Sequence, residues 1–365
     1  MADATVDPDV TRARERVAEI TRAGGRLHEL PALPETCYWG FFDNARPPVL
    51  RVNSGDVVYI EAITPNAGDA PDLLMDPGIR AVYASISPSE RGPGPHVQTG
   101  PVYVEGAEPG DTLEVRILGV TPRLPWGTNI AGWWGYLYDD FKKERITIYQ
   151  IDAIRREARA AFAFDYTTTP RYDSWGVVTP VNPAARVPAL VGIAVPLRPH
   201  LGVCGVAPKE NGKINTVPPG DFGGNIDNWR IGAGATMYYP VFHPGALFYV
   251  GDPHLAEGDG ELSGTAIEAS ANVWVQLSVR RDFPVRWPIL ETATHWMVHG
   301  YHEDLDQAMK LAARRLLEFL TGRMGLTRDD AYSLMSVAAD FTVTQVVNVR
   351  QGVHGAIGKH VFGHR

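Results

Sequence analysis

The sequence predicts an α+β fold dominated by β-structure, built of β-sandwich or barrel-like units with C-terminal helices packed on them. Three observations predict it. Apolar and polar residues alternate in VLRVNSGDVVYIEAIT (49–64) and VQTGPVYVEGAEPGDTLEVRILGV (97–120), the period of half-buried strands. The 37 glycines and 29 prolines mark many turns between short strands, yet stay below low-complexity composition. Clear helical spacing occurs near the two ends of the chain, and helices gathered late in a β-rich sequence point to an α+β arrangement.

Taken in order, Val10, Ala13, Val17 and Ile20 fall at helical spacing with Arg and Glu between them. They predict an amphipathic helix over 9–22, ended by Gly24 and Gly25, covering its own domain or a neighbouring subunit without a catalytic role. Residues 1–36 read as this helical extension, 37–190 as a first β-rich unit and 191–365 as a second, or the two as one intertwined domain. The Pro/Gly-rich loop 65–95 is long enough to act as a lid over small substrates. Pro101-Val102-x-x-x-Gly106-Ala107 is echoed by Pro240-Val241-x-x-x-Gly245-Ala246, a shared turn design that leaves duplication open. The aromatics of NIAGWWGYLYDDF (129–141) read as packed core, with an interface or a pocket mouth as alternatives. REARAAFAF (156–164) fits a helix or a strand.

VPALVGIAVPLRPHLGVCGVAP (187–208) reads as short buried strands joined by prolines, and ANVWVQLSVRRD (271–282) as a further strand. LDQAMKLAARRLLEFLTGRMG (305–325) places Leu305, Met309, Ala312, Leu316 and Leu320 on one helical stripe, with Gly322 as its stop and Arg314 and Arg315 on a solvated face. Thr327 caps a second helix, whose Asp329 and Asp330 complement the dipole. DFTVTQVVNV (340–349) is read as the last strand.

The formal net charge is −8, from 42 acidic and 34 basic residues, and no basic stripe interleaved with aromatics occurs. Nucleic acid is therefore excluded as an expected partner. Cys37 and Cys204 are too few for a disulfide framework, and Cys204 reads as a small buried hydrophobe rather than a nucleophile. Lys209 and Glu210 follow it closely, which keeps a Glu-Lys-Cys amidase arrangement open. The start of the chain lacks a signal-like apolar core, and no run of about eighteen apolar residues occurs. A soluble, cytoplasmic protein with no membrane partner is expected.

The chemistry is expected in residues 216–268, where seven carboxylates, two histidines and two asparagines sit among glycines, prolines and short apolar runs. Asp252 and His254 share one face of an extended chain, and so do Asn225 and Asp227. Such pairs give a metal site in outline. Glu261 and Glu268 are an odd number apart, so a regular strand separates them unless Gly264 marks a bulge or bend. Asp259 reads as a turn residue, and Asp221 and Glu257 as surface groups. His96 ends the proline-rich loop and can reach the site from the first unit; Glu61 and Glu105 are weaker candidates. His295 and His299 could share a helical face, but Trp296 stands where a zinc-protease motif needs glutamate, so they read as structural.

GGNID (223–227), Pro240 to Ala246, GDPHLAEGDGE (251–261) and TAIE (265–268) resemble the signature blocks of the acetamidase/formamidase family. So do TGPVYVEGAEPGD (99–111), GIAVPLRPHLGVCGVAP (192–208) and DFTVTQVVNVRQGVH (340–354), in the family's order. The resemblance implies a β-rich, metal-associated amidohydrolase that cleaves a small carboxamide of the formamide or acetamide type. On that reading Asp227, Asp252 and His254 hold a divalent metal, with Asn225 as a fourth ligand or a partner of the substrate amide. Glu268 is assigned as a ligand and Glu261 as general base and then acid, the two roles being exchangeable at this stage. Zinc suits the histidine and acidic donors, whereas calcium, magnesium or manganese suits a site made mostly of oxygen. The aromatics Trp39, Phe41, Phe42, Trp133, Trp134 and Trp229 could shape the pocket for larger amides. A homo-oligomer is expected from exposed aromatic and helical segments. The rival reading is a non-catalytic β-sandwich that binds a ligand through a structural ion.

Overall fold

A computed structural model describes residues 7–166 and 176–363. Its largest sheet has nine strands in the order Leu27–Leu30, Val57–Ala62, Ala271–Arg280, Thr112–Pro122, Thr236–Pro240, Ile289–Glu291, His295–His302, Gln351–Gly358, Ala339–Gln345. A six-stranded sheet faces it. Its path runs Gly223–Asn225, His200–Gly205, Phe248–His254, Val97–Glu105, Cys37–Trp39, and Leu50–Asn53 joins Val97–Glu105 in parallel. The alternation read from the sequence fills the space between them: Val58 and Ile60, Val102 and Val104, Leu113 and Val115, Phe248 and Val250 belong to one buried cluster. Strands from 37–190 and from 191–365 share both sheets, interleaving in the large one and adjoining along one seam in the six-stranded one. The fold is thus β-dominated, with helices packed on a sheet.

The two echoed turns cross between these sheets in opposite senses. The first carries the chain from Val97–Glu105 to Thr112–Pro122, the second from Thr236–Pro240 to Phe248–His254. They meet, because Gly245 donates its N–H to Ala107 O at 2.8 Å and Val104 donates to Gly245 O at 3.0 Å. Gly106 and Gly245 both sit at positive φ (77° and 79°), a conformation that costs glycine little.

A third sheet, Val195–Pro196, Glu157–Asp165, Arg145–Asp152, Trp126–Ala131, resolves the ambiguity of 156–164 in favour of a strand. Helix Pro8–Arg22 lies on its own domain, with Ala13 and Val17 packed against Val57, Leu118 and Trp274. Helix Leu305–Met324 covers the far end of the large sheet, and Gly300 lets it approach: a Cβ there would stand 2.3 Å from Ala308 O. Among the described residues, no helix is long and apolar enough to cross a membrane.

Several local expectations need correction. The long helix passes through Gly322 and stops at Gly325, which takes the left-handed conformation (φ 66°) and donates to Leu320 O. Met309 is 39% exposed, so the buried stripe turns toward Ala308, Ala312 and Leu316 instead. Arg315 is buried and donates to His299 O at 2.8 Å and Asp221 Oδ1 at 2.6 Å, which ties the helix to the sheet rather than to solvent. The last strand is Gln351–Gly358, inserted between Ala339–Gln345 and His295–His302. Loop 65–95 contains the helices Pro71–Leu74 and Pro77–Ser85. Tyr136, Tyr138 and Phe141 are about half exposed instead of core, in a segment that is a run of turns.

Candidate active site

Strand Phe248–His254 lies between Val97–Glu105 and His200–Gly205, so its end is screened from water by neighbours on both edges. There His254 Nε2 stands 3.2 Å from Asp252 Oδ2, as their spacing implies. Glu268 forms isolated bridges with both His254 and Thr128, which bring its Oε1 to 3.3 Å from His254 Nε2. Gly264, at φ 89°, bends the chain after Glu261, and Glu261 and Glu268 line one cavity despite their odd spacing. Asn225 closes its short strand, while Asp227 reaches the same cavity through a turn at φ 50° rather than by strand alternation. His96 arrives from the first unit, with Nε2 3.4 Å from Asp252 Oδ2 and Nδ1 2.9 Å from Thr216 Oγ1.

Two further groups join them that the sequence reading passed over. Glu257, expected at the surface, is only 7% exposed, and its Oε2 lies 3.1 Å from His254 Nδ1. His200 stands opposite His254 in the strand register, with Nε2 2.8 Å from Glu257 Oε2. His200 Nδ1 lies 2.6 Å from the Arg198 carbonyl, which can only accept, so that nitrogen carries a proton. The only signal for Glu257 was its position three residues after His254, and for His200 there was none before strand pairing. Asn348, also unanticipated, donates to Asp227 Oδ2.

The electrostatics follow from crowding. Asp227, Asp252, Glu257, Glu261 and Glu268 are all buried, and the ion-pair partners found for them among the described residues are histidines. Burial, reinforced by Asp227 and Glu257, pushes the Glu261 carboxyl well above its ordinary range. Asp227 is raised well above its range by burial, and Asp252 is raised by burial and the Glu268 charge. Burial acts to lower His254, but the Glu268 and Asp252 carboxylates outweigh it and raise the imidazole well above its usual value. His96 is lowered by burial, against the opposing pull of Asp252.

Donor atoms of Asp252, His254 and Glu268 lie within 4.8 Å of one another, and so do those of Asp227, His254, Glu257 and Glu261. Asn225 Oδ1, Asp227 Oδ1, Asp252 Oδ1, Glu261 Oε2 and Glu268 Oε2 are buried without a hydrogen-bond partner among the described residues. A set of like charges with spare oxygens requires protons or a cation, so the residues fit a divalent ion. Their cavity measures about 210 Å³. A larger groove of about 990 Å³, bordered by Arg16, Arg198 and Trp229, holds none of this cluster.

The remaining candidates lie elsewhere. Cys204 is buried with its thiol pushed up to about 12 by desolvation, while Lys209 and Glu210 are exposed, so no activated thiolate assembles. Glu61 pairs with Arg123, Glu105 with Arg51, and Asp259 with Arg230. His295 and His299 lie on a strand rather than a helix, and His299 Nε2 is 3.0 Å from Asn228 Nδ2. Of the six aromatics considered for the pocket, Trp134 alone lines the cavity; Trp39 and Phe42 are core, and Trp229 lies between the Arg198 and Arg230 guanidinium groups.

The chain resembles known proteins in sequence and in fold. The model of the Acetamidase/Formamidase family matches residues 47–213 and 210–362. A formamidase of Methylophilus methylotrophus is 26% identical over 292 residues, covering 67% of this chain and 70% of that one. An acetamidase of Mycolicibacterium smegmatis is 31% identical over 204 residues, or 46% of this chain and 49% of its own. The crystal structure of an acetamidase from Bacillus halodurans superposes with a TM-score of 0.73 at 28% identity, over 92% of this chain and 98% of the other. With the family matched along nearly the whole described chain and the same fold found in a solved relative, this chain belongs to the acetamidase/formamidase family of amide-hydrolysing enzymes.

Proposed function

We propose that this protein hydrolyses a small linear carboxamide, of the formamide or acetamide class, to carboxylate and ammonia, with a divalent ion, zinc first, as cofactor. One observation carries the reading: five buried, partnerless oxygens belong to residues that line a single cavity. Amides resist hydrolysis because resonance weakens the carbonyl as an electrophile and the nitrogen leaves poorly unless protonated. The site must therefore polarise the carbonyl, activate water and protonate the leaving group.

Asp252, His254 and Glu268 would hold the ion, with Asp227 beside them, and a bound ion supplies Lewis acidity toward the carbonyl and toward water. Glu261 is the general base and then the acid, since a carboxyl raised by burial can carry a proton near neutrality. Asn225 donates through Nδ2 to Val217 O at 3.1 Å, which leaves its Oδ1 as an acceptor for a substrate N–H. His96, fixed by Thr216, braces Asp252. A structural ion would be enclosed on all sides, whereas these oxygens line a cavity, which supports catalysis over the binding-module reading.

The test is ammonia release from formamide, acetamide, propionamide, benzamide and urea by metal-analysed protein, before and after chelation. Release that stops on chelation and returns with added metal is the expected result. Folded, fully metallated protein that releases no ammonia from a broad amide panel would overturn it. We also infer a homo-oligomer, supported by the exposed Tyr136, Tyr138 and Phe141; a light-scattering mass of one chain would refute that.

A further inference from the structure

We infer that the preferred acyl group is larger than acetyl, a chain of about four to six carbons or a phenyl ring, given that an apolar cavity of roughly 150 Å³ holds benzene. This rests on the amidase reading above and extends it. The cavity measures about 210 Å³, and both formamide and acetamide are smaller than benzene.

The cavity has an apolar side as well as a carboxylate side. Ile130 lies on the same strand as Thr128, the residue bridged to Glu268, and two residues further on. That places Ile130 about 7 Å from Thr128 on the same strand face. Trp134 extends the wall: its ring carbons lie 2.7 Å from where a Cβ on Gly264 would stand, so the glycine is what lets the indole rest there. Across the cavity Val217 follows Thr216, which fixes His96, and Val347 precedes Asn348, which fixes Asp227. Val217 and Val347 thus adjoin residues that orient the polar cluster, and Ile130 shares a strand with the residue bridged to Glu268, so a substrate with its amide at the carboxylates has these side chains and Trp134 beside its acyl group. Glu144 also lines the cavity, and its Oε1 is already held by the Trp133 indole N–H at 3.1 Å.

Burying one methylene is worth about fourfold in binding. Specificity constants measured by ammonia release are expected to rise by about that factor per methylene from acetamide through butyramide to hexanamide, with benzamide also above acetamide. Ile130→Phe, which fills the apolar side, should lower the hexanamide-to-acetamide ratio at least tenfold. Product inhibition of acetamide turnover in the wild type gives a second readout that needs no variant to fold: hexanoate should inhibit more tightly than acetate. A wild-type constant for acetamide equal to or above those of all larger amides would overturn the inference while leaving the amidase reading intact. So would an unchanged ratio in folded Ile130→Phe, or equal inhibition by the two carboxylates. Absence of ammonia from every amide would strike the amidase reading itself, and this inference with it.

Discussion

Gly202 stands in the strand that pairs with Phe248–His254, and its lack of a side chain is a requirement of the site. A Cβ there would lie 2.6 Å from His254 Cε1 and 2.7 Å from Asp227 Oδ1. Gly202→Ala should therefore displace both groups, lowering kcat about a hundredfold or more, as misplacement by an ångström does. Overpacking should also cost roughly 1–3 kcal/mol in urea unfolding. Native kcat in Gly202→Ala would contradict the placement. Glu261→Gln keeps the side chain's shape and removes the base, so turnover should fall about 10² to 10⁴-fold with the fold and the metal content unchanged. Turnover retained by this variant would remove Glu261 from the proposed role. At this scale, Asp252, His254 and Glu268 were legible because they lie close together in sequence among turns. Glu257 was misread for the same reason: a glutamate beside Gly258 looks like a surface turn until His200 and His254 are seen against it.

The helix Leu305–Met324 gives a contrast between two glycines. Gly322 is exposed in the helix interior, with open space where a methyl would go, so Gly322→Ala should stabilise by about 0.5–1 kcal/mol. Gly325 holds the left-handed cap, so Gly325→Ala should destabilise by about 1 kcal/mol. Thermal or urea unfolding of the pair checks both signs, and the same sign in both would refute the cap. The start of the second helix was legible, Thr327 capping it through Asp330 N, whereas the cap of the first, Asp304 through Gln307 N, emerged only from the structure. Nor was Arg315 legible, since a pair of arginines on an amphipathic pattern looks solvated until Asp221 and the His299 carbonyl are seen beneath it.

Folding buries histidines in the large sheet away from the proposed ligands, and this sets an acid limit for the molecule. Burial, with the Arg230 charge, lowers His354 from its ordinary 6.5 to about 4, against Asp259. His299, whose ring centroid is 6.0 Å from that of His354, is lowered well below its usual value by burial and by the His354 and Arg315 charges. Each stays neutral in the folded chain while the unfolded chain takes up a proton. Their contribution is therefore complete above pH 6.5 and lost as the pH falls toward 4, by roughly 3 kcal/mol for His354. The raised carboxyls of the site act with the opposite sign, so the readout is the difference between proteins: between pH 7 and pH 5 the urea midpoint should fall further in the wild type than in His354→Gln, and an identical pH dependence in the two would contradict the assignment.

By itself the sequence determined the β-dominated class, the terminal helices and the stretch that bears the carboxylates, because periodicity, turn residues and local spacing are short-range properties. It also determined the family, through ordered blocks that span the chain. Tertiary structure alone decided that His200 faces His254, that His96 reaches Asp252 from the first unit, and that Asn348 grips Asp227. Those contacts join residues far apart in the chain, and their geometry depends on strand register and sheet packing, which no local pattern encodes. The same packing decided the depth of the cavity, and with it the size of the acyl group that can lie beside Ile130 and Trp134.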